Sequence, residues 1–239
     1  MNQFYVLPEQ VTSSQIVLTD QEAQHASKVL RKEAGETIYV TDGAGTRYKC
    51  KIESTGRREL RASIVETRTF RKPGIDVELC LGLIRKRDRL EFAAEKATEL
   101  GVSKISLFRA DHTEPFKVRT DRIEAAVQSA MKQSLRVFLP EVKVYDSLDD
   151  LLDRNLNRTL ILKADANGKQ TGTIEFEKEG NLLMVVGPEG GLSTREAEVL
   201  NLKNARPVSL GDYRLRAETA AMLMAATFGH KKADPEGTA

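Results

Sequence analysis

The residues with the clearest capacity for ligand chemistry lie in one short segment, Leu182–Leu192. An apolar run there ends in Gly187, Pro188, Glu189, Gly190 and Gly191. This pattern predicts a buried strand that leads into a loop almost bare of side chains, where a ligand can reach the main chain. Ser193 precedes Glu196 by three residues, which predicts a capping box at the start of a helix. Strand, glycine loop and helix in this order are typical of a small-molecule site.

The glycine spacing excludes the two best-known nucleotide-binding loops. The sequence contains neither a Gly-x-x-x-x-Gly-Lys-Ser/Thr motif nor a Gly-x-Gly-x-x-Gly motif after a strand, so a P-loop and a dinucleotide fingerprint are not indicated. Adjacent glycines also occur in tight turns, and the segment alone therefore leaves that simpler interpretation open.

A second segment, Val208–Thr219, repeats the arrangement. Its apolar start ends in Gly211, and the chain continues through Tyr213, Arg214, Leu215 and Arg216 to Glu218 before an apolar helix. Two predicted strands thus end in glycine loops that each open onto a helix.

Together the two segments resemble the RsmE-type SPOUT methyltransferases. The resemblance rests on Gly187–Ser193, which reads Gly-Pro-Glu-Gly-Gly-Leu-Ser, and on Leu210–Ala220, which contains Leu-Gly followed by Leu-Arg-Ala-Glu-Thr-Ala. It implies a homodimeric enzyme that uses S-adenosyl-L-methionine (SAM) to methylate N3 of a specific uridine in small-subunit (16S) ribosomal RNA, with the assembled small subunit as the expected partner. Asp212 stands where the family commonly has proline. Two alternatives stay open: a non-catalytic RNA-binding or ribosome-assembly factor, and a SPOUT methyltransferase with another RNA target.

The resemblance also implies the fold class, an α/β protein with two domains. Residues 1–72 are expected to form a PUA-like small β-barrel that binds RNA. Residues 73–239 are expected to form a SPOUT α/β domain with a C-terminal trefoil knot around a mostly parallel sheet. The sequence pattern by itself predicts a parallel sheet in this second part, because strand and helix patterns alternate there.

The expected elements of the first part are a helix and three strands. The helix covers Asp20–Arg31, and the strands cover Glu36–Thr41, Thr46–Glu53 and Leu60–Glu66. The first two strands form a predicted hairpin, because the Asp42–Gly45 turn supplies glycines for positive φ angles. In the second part we expect strands at Ile75–Ile84, Val102–Phe108, residues 158–164, Leu182–Gly187 and Pro207–Leu210, and helices at Leu90–Leu100, residues 120–137 and residues 147–154. Residues 229–239 are expected to be frayed.

By resemblance, SAM lies bent within the knot, and its adenine is held by main-chain groups of three loops. The predicted cofactor-binding residues are Leu162, Lys163, Ala164, Gly187, Pro188, Glu189, Gly190, Gly191, Leu210, Gly211, Leu215, Arg216, Ala217 and Thr219. No metal site is expected.

Methyl transfer to a uridine N3 requires removal of a weakly acidic imide proton. Arg216 is the first candidate to stabilise the resulting anion. Glu218 is expected to hold that arginine, to cap the helix or to act as the base, and Glu189 is a second possible base. His112 is better explained as a surface-loop residue.

Candidate RNA-binding residues are mostly cations. Arg47, Lys49 and Lys51 alternate along one predicted strand and so share a face that could meet successive phosphates, although a solvated outer face would show the same spacing. The full set is His25, Arg31, Arg47, Lys49, Lys51, Arg85, Lys86, Arg87, Gln133 and Arg136. The distribution of formal charge is consistent with RNA binding by the first part of the chain, since residues 1–72 carry a net charge of +3 and the remaining residues a net charge of −1.

Besides Asp212, two other segments depart from the family pattern. Asn2 and Gln3 precede Phe4, where the family often has an arginine, and Leu135 replaces the glycine in the motif that contains Gln133, Ser134 and Arg136. Lys132 likewise replaces the usual glutamate.

The amino-acid composition indicates only the broad class of protein. The chain has 239 residues, 40% hydrophobic and 30% charged. It has no run of roughly 18 apolar residues and no signal-peptide pattern at its start, so we expect a cytosolic protein. Cys50 and Cys80 suggest neither a zinc site nor a disulfide framework.

Overall fold

The computed structural model describes residues 2–154, 156–157, 159–171 and 180–229. It divides into two compact units. The first contains the residues up to Lys72 together with Met131–Leu139, and the second contains Pro73–Ala130 and the described residues from Pro140 onward. The sequence prediction assigned residues 131–139 to the second part, and the structure differs there because this stretch packs and hydrogen-bonds within the first unit.

The first unit is built on a five-stranded sheet in the order β1-β3-β4-β5-β2. The strands are β1 (Gln3–Tyr5), β2 (Gln15–Thr19), β3 (Thr37–Thr41), β4 (Thr46–Thr55) and β5 (Glu59–Thr69). All neighbours are antiparallel except β1 and β3. The alternating apolar residues face one core, which includes Phe4, Ile16, Leu18, Ile38, Val40, Cys50, Ile52 and Leu60.

The predicted hairpin between β3 and β4 is confirmed. Its turn is closed by the Asp42 carboxylate, which accepts hydrogen bonds from the main-chain N–H groups of Ala44 at 2.8 Å and Thr46 at 3.0 Å. Gly43 and Gly45 have φ angles of +69° and +111°, which explains why glycines occupy these positions.

The predicted helix over Asp20–Arg31 is only partly correct. The α-helix α1 covers Asp20–Gln24, and a π-helical turn follows at His25–Val29. The change of register is seen where the Leu30 N–H donates to the His25 carbonyl at 3.0 Å, five residues back. Hydrophobic periodicity does not distinguish these two registers over so short a segment.

Within the stretch Met131–Leu139, residues 137–139 pair with the β3–β4 turn. The Gly45 N–H donates to Val137 O at 2.9 Å, and the Leu139 N–H donates to Gly43 O at 2.8 Å. A Cβ atom at Gly45 would lie 2.6 Å from the Phe138 ring, so this approach requires glycine. The Lys132 ammonium forms an ion pair with Glu22.

The second unit contains a six-stranded, entirely parallel sheet in the order β11-β9-β10-β6-β7-β8. The strands are β6 (Ile75–Gly82), β7 (Lys104–Phe108), β8 (Glu141–Tyr145), β9 (Thr159–Gln170), β10 (Gly180–Val186) and β11 (Arg206–Ser209). The helices are α2 (Arg87–Glu99), α3 (Thr120–Gln133), α4 (Leu148–Leu152), α5 (Thr194–Leu202) and α6 (Ala217–Phe228), and only the last three residues of α3 belong to the first unit. The predicted parallel sheet is confirmed, and the continuous apolar runs of β6 and β10 lie in its centre.

Several predicted boundaries shift. Helix α2 begins at Arg87 rather than Leu90, so part of the expected basic loop is helical. Helix α3 ends at Gln133 rather than near residue 137. Strand β9 extends to Gln170, well beyond the predicted Ala164. The predicted start of that strand at residue 158, and the tail from residue 230, lie outside the described residues.

The end of α3 has the hydrogen bonds of a Schellman motif. The Arg136 N–H donates to Met131 O at 3.0 Å and the Leu135 N–H to Lys132 O at 3.2 Å. Leu135 sits at the left-handed position with φ +59°, where glycine is usual. The left-handed residue ends the helix there, although the apolar pattern continues to Val137. A search of the described helices for one long and apolar enough to cross a membrane finds none.

Candidate functional site

A cavity of about 650 Å³ lies within the second unit, at the carboxyl end of β10 and beside the start of α6. Both glycine segments contribute to its wall, although they are separated in the sequence. The predicted cofactor residues that line it are Lys163, Ala164, Gly187, Pro188, Glu189, Gly190, Gly191, Leu215, Arg216 and Ala217. The structure thus brings together most of the residues that the sequence suggested for one site.

Four predicted cofactor residues do not line this cavity. They are Leu162, Leu210, Gly211 and Thr219. Leu162 is fully buried, because its position in β9 directs the side chain into the core. The sequence prediction missed Asp165, Val186, Leu192, Ala197, Arg214 and Ala220 on the wall. Arg214 and Ala220 lie within or beside the second glycine segment, so a wider window would have included them, whereas Ala197 on α5 carries no sequence signal.

The first glycine loop is a tight turn. The Gly191 N–H donates to Pro188 O at 2.9 Å, and Gly191 has a φ angle of +75°, which favours glycine. A Cβ atom at Gly191 would meet no atom within 4 Å, so at this position the space beside the loop is open. A Cβ atom at Gly187 would lie 3.1 Å from the Leu192 N atom. The loop is therefore both a tight turn and part of the cavity wall, so the two interpretations that the sequence left open are compatible.

Gly82, at the end of β6, supports this loop from the neighbouring strand. A Cβ atom there would lie 2.5 Å from Cδ of Pro188, so only glycine permits the observed approach. The sequence prediction missed this residue, and its only signal is a glycine near the end of an apolar strand.

Arg89 on α2 connects the two acidic candidates. Its guanidinium lies 3.4 Å from Oε1 of Glu189 and 3.3 Å from Oε1 of Glu218. Glu218 is buried, and its Oε2 atom has no hydrogen-bond partner among the described residues. Of the roles considered for Glu218, holding Arg216 is not the one seen: its ion pair is with Arg89, which lies far away in the sequence.

Arg216 precedes α6 and is exposed on the cavity wall. Glu218 lies in the first turn of α6, where a carboxylate interacts favourably with the helix dipole. The side chain of Glu189 is 41% exposed, so a ligand can reach its carboxylate.

The capping box after the glycine loop is confirmed. The Ser193 hydroxyl accepts a hydrogen bond from the Glu196 N–H at 3.1 Å, and the Ser193 N–H donates to Oε2 of Glu196 at 2.8 Å. Glu196 is fully buried and also accepts a hydrogen bond from the Asp111 N–H at 3.1 Å. The loop after β7 is therefore fixed to the start of α5.

Asp111 strengthens this connection. Its carboxylate accepts hydrogen bonds from two guanidinium nitrogens of Arg195 at 2.7 and 3.0 Å and from the Ser193 hydroxyl at 2.5 Å. These bonds, first those of Arg195 and then that of Ser193, lower the pKa of Asp111 to about 2. The end of the glycine loop is thus anchored by charged hydrogen bonds.

The candidate RNA-binding residues of the second unit are exposed. Arg85 forms an ion pair with Glu114 at 2.7 Å, and Arg87 lies 3.4 Å from Glu91. Exposed pairs of this kind contribute little to stability, so both cations remain accessible to a partner. Lys86 precedes α2 and is exposed as well.

The cation row on β4 is not uniform. Cys50 and Ile52 are buried, so Arg47, Lys49 and Lys51 share the opposite face as predicted. Arg47, however, is half-buried: its Nε donates to Oε1 of Gln3 at 3.0 Å, its Nη2 donates to the Leu135 carbonyl, and it lies 5.3 Å from the Phe70 ring centroid. Burial lowers the pKa of Arg47.

The other predicted RNA contacts of the first unit differ in exposure. His25 and Arg31 are exposed, and the His25 ring packs edge to face against Phe4. Gln133 is exposed, whereas burial lowers the pKa of Arg136 to about 10. Gln3, which stands near the arginine position of the family, is buried and donates to the Arg136 carbonyl at 2.6 Å.

Comparison with known proteins defines the class. Residues 71–229 match the RNA methyltransferase domain family, and residues 18–65 match the RNA methyltransferase PUA domain family. The fold and the cavity are therefore those of an RNA methyltransferase with a PUA-like domain.

The relatives narrow this class. "Ribosomal RNA small subunit methyltransferase E" of Aquifex aeolicus is 31% identical over 226 residues, which cover 93% of this chain and 96% of the relative. The protein of the same name from Mycobacterium bovis is 32% identical over 242 residues, with 95% and 90% covered. The chain belongs to the ribosomal RNA small subunit methyltransferase E family.

Solved structures agree with this assignment. Ribosomal RNA small subunit methyltransferase E from Neisseria gonorrhoeae, bound to S-adenosyl methionine, has a TM-score of 0.83 and 27% identity, and 95% of each chain is covered. A probable rRNA-methyltransferase from Porphyromonas gingivalis has a TM-score of 0.83, 28% identity, and 94% and 95% coverage. The predicted PUA-like and SPOUT fold class is confirmed, and the trefoil knot stays a prediction.

Proposed function

We propose that this protein transfers a methyl group from SAM to N3 of a specific uridine in 16S ribosomal RNA. The observation that carries the proposal is the convergence of two remote glycine segments on one cavity. The family assignment and a SAM-bound relative of the same fold support the cofactor and the substrate.

The cavity suits SAM in size and in chemistry. Its volume of about 650 Å³ falls in the range of small-molecule sites. Gly187, Gly190 and Gly191 have no side chains, so a ligand can approach the main-chain N–H and carbonyl groups of the loop. Recognition of an adenine edge by main-chain groups requires this access. When bound, SAM supplies the methyl group: its sulfur–carbon bond breaks, with the electron pair staying on sulfur, as the bond to N3 forms.

The side chains on the wall divide the remaining work. We assign the role of base to Glu189, because it is the more exposed of the two acids. Glu189 takes the N3 proton as the general base, and Arg216 stabilises the negative charge that develops on the uracil ring. Arg89 orients Glu189 and neutralises Glu218, which is too buried to serve as the base.

The proposal extends to partners. The exposed cations Arg31, Lys51 and Lys86, together with the partly exposed Lys49, contact RNA phosphates, and contacts of this kind add affinity without base specificity. The protein acts on the small subunit in the cytoplasm as a homodimer, because the SPOUT site is completed across a subunit interface in the family that the sequence resembles.

The test is methyl transfer from labelled SAM to unmodified small ribosomal subunits, naked 16S rRNA and tRNA, with nucleoside mass spectrometry of the products. We expect N3-methyluridine in rRNA and none in tRNA. Transfer to a ribose hydroxyl or to tRNA would favour a SPOUT enzyme with another target. RNA binding without transfer to any substrate would favour a non-catalytic assembly factor.

A further inference from the structure

A second, smaller cavity adjoins the glycine loop in the same unit. Its volume is about 240 Å³, and it shares Pro188, Glu189 and Gly190 with the larger cavity. The rest of its wall comes from the end of the β6 segment and from the loop after β7, where Thr113 and Phe116 lie. A group bound here would face the same short loop as the cofactor.

Thr113, on the wall of the smaller cavity, carries a buried hydroxyl. Thr113 Oγ1 is buried and lacks a hydrogen-bond partner among the residues that the structure describes. The Thr113 main chain is fixed, because its N–H donates to Ala110 O at 2.8 Å. Buried hydroxyls are normally hydrogen-bonded, so this one is suited to a ligand that brings a donor or an acceptor.

An aromatic ring is held in place beside it. The Arg109 guanidinium carbon lies 6.0 Å from the Phe116 ring centroid, and Arg109 Nη2 lies 3.5 Å from the Phe116 carbonyl. Proteins recognise unpaired bases by stacking them on aromatic rings and by hydrogen bonds to their polar edges. Phe116 and Thr113 supply one group of each kind.

Size limits the occupant. The volume of the smaller cavity is about 240 Å³. This is below the usual range for drug-sized ligands and suits a single planar base. The methyl donor therefore fits the larger cavity, and the smaller cavity has room for one heterocycle.

We propose that the smaller cavity binds the acceptor uracil, turned out of its RNA strand. The Thr113 hydroxyl bonds to the polar edge of the base, and the Phe116 ring stacks on its face. Glu189, on the wall common to both cavities, faces the N3 proton. This subsite rests on the proposed function, since it names where the substrate of that reaction lies.

The test pairs Thr113→Val with Thr113→Ser and Phe116→Ala with Phe116→Tyr. We expect Thr113→Val and Phe116→Ala to lower kcat/KM for methyl transfer to small subunits about tenfold each. The variants that keep the hydroxyl or the ring should stay within about threefold of the original protein. SAM affinity, measured by calorimetry, should remain unchanged in all four.

Matched controls are Thr69→Val on β5 and Phe92→Ala on α2, both exposed positions outside the cavity. Normal kcat/KM in Thr113→Val and Phe116→Ala would overturn the subsite while leaving the proposed function intact. Loss of SAM binding in these variants would assign both residues to the cofactor site and also overturn it. If the unaltered protein methylates no RNA, the proposed function fails and the subsite fails with it.

Discussion

The cavity of the second unit and the cation row of the first were both indicated by short sequence patterns, a glycine loop after a strand and alternating cations along a strand, yet they differ in how they are built. The cavity lies at strand ends and its lining includes the glycine loop, in which Gly191 adopts a φ angle of +75°. The cation row consists of long side chains, and one of them, Arg47, bonds to the carbonyl of Leu135, 88 residues away. A site formed by local backbone can be predicted from local sequence, whereas the availability of a charge depends on distant partners.

The largest effect is expected from Gly191→Trp, which tests whether the cavity beside the glycine loop binds SAM. A bulky side chain on the cavity wall should weaken SAM binding at least 100-fold, a loss of about 2.7 kcal/mol. The matched variant Gly191→Ala has the same backbone cost at φ +75°, about 1–2 kcal/mol, but adds little volume. Calorimetric titration with SAM and thermal unfolding of both variants separate the two effects. SAM binding by Gly191→Trp at the affinity of Gly191→Ala would refute the assignment of this cavity.

A comparison of Arg47→Ala with Lys51→Ala tests which cations of the row are engaged by partners within the protein and which are available to RNA. Loss of Arg47 leaves the Leu135 carbonyl and the Gln3 amide without their donor, which should cost about 1–3 kcal/mol of unfolding free energy. Lys51→Ala should change stability by less than about 0.5 kcal/mol. It should instead lower RNA affinity and reduce the slope of log K against log salt by about one. Denaturant unfolding and RNA titrations over a salt series measure both quantities. An RNA defect in Arg47→Ala with unchanged stability would restore the original interpretation of the row.

Leu135 offers a smaller effect in the opposite direction. Leu135→Gly relieves the left-handed strain at φ +59°, and we expect a gain of about 0.5–1 kcal/mol after the loss of leucine contacts. Asn204→Gly is the matched control, because Asn204 has the same φ angle after α5 and asparagine tolerates it. Destabilisation by Leu135→Gly would mean that packing of the leucine outweighs the strain. Unfolding free energies of both variants decide this.

The smallest expected effect concerns the pH dependence of the Asp111 contact. The folded-state pKa of Asp111 is about 2, below its ordinary value of 3.8. Its contribution to stability is therefore complete above pH 3.8 and is lost as the pH falls through about 2. Asp111→Asn should lower Tm at pH 5, and the difference from the original protein should shrink by pH 2. A difference that does not depend on pH would exclude the ionised carboxylate as its cause.

The sequence predicted well those features whose signal lies within a few residues. The capping box of Ser193 and Glu196 and the Asp42–Gly45 hairpin turn have such signals, and both are confirmed. The parallel sheet, also confirmed, followed from the alternation of strand and helix patterns, each of which is local. The features that it missed depend on contacts between distant segments. Arg89 meets Glu189 and Glu218 only after the chain has folded, and nothing near Gly82 indicates its contact with Pro188.

Because residues 131–139 belong to the first unit, the protein cannot be divided into its two units by a simple truncation. A fragment that ends at Lys72 would leave the Gly45 N–H and Nη2 of Arg47 without their acceptors, and part of the β3–β4 turn uncovered. No single cut of the chain separates the two units. An exchange of first units between relatives would therefore have to carry this nine-residue stretch along with the N-terminal sheet.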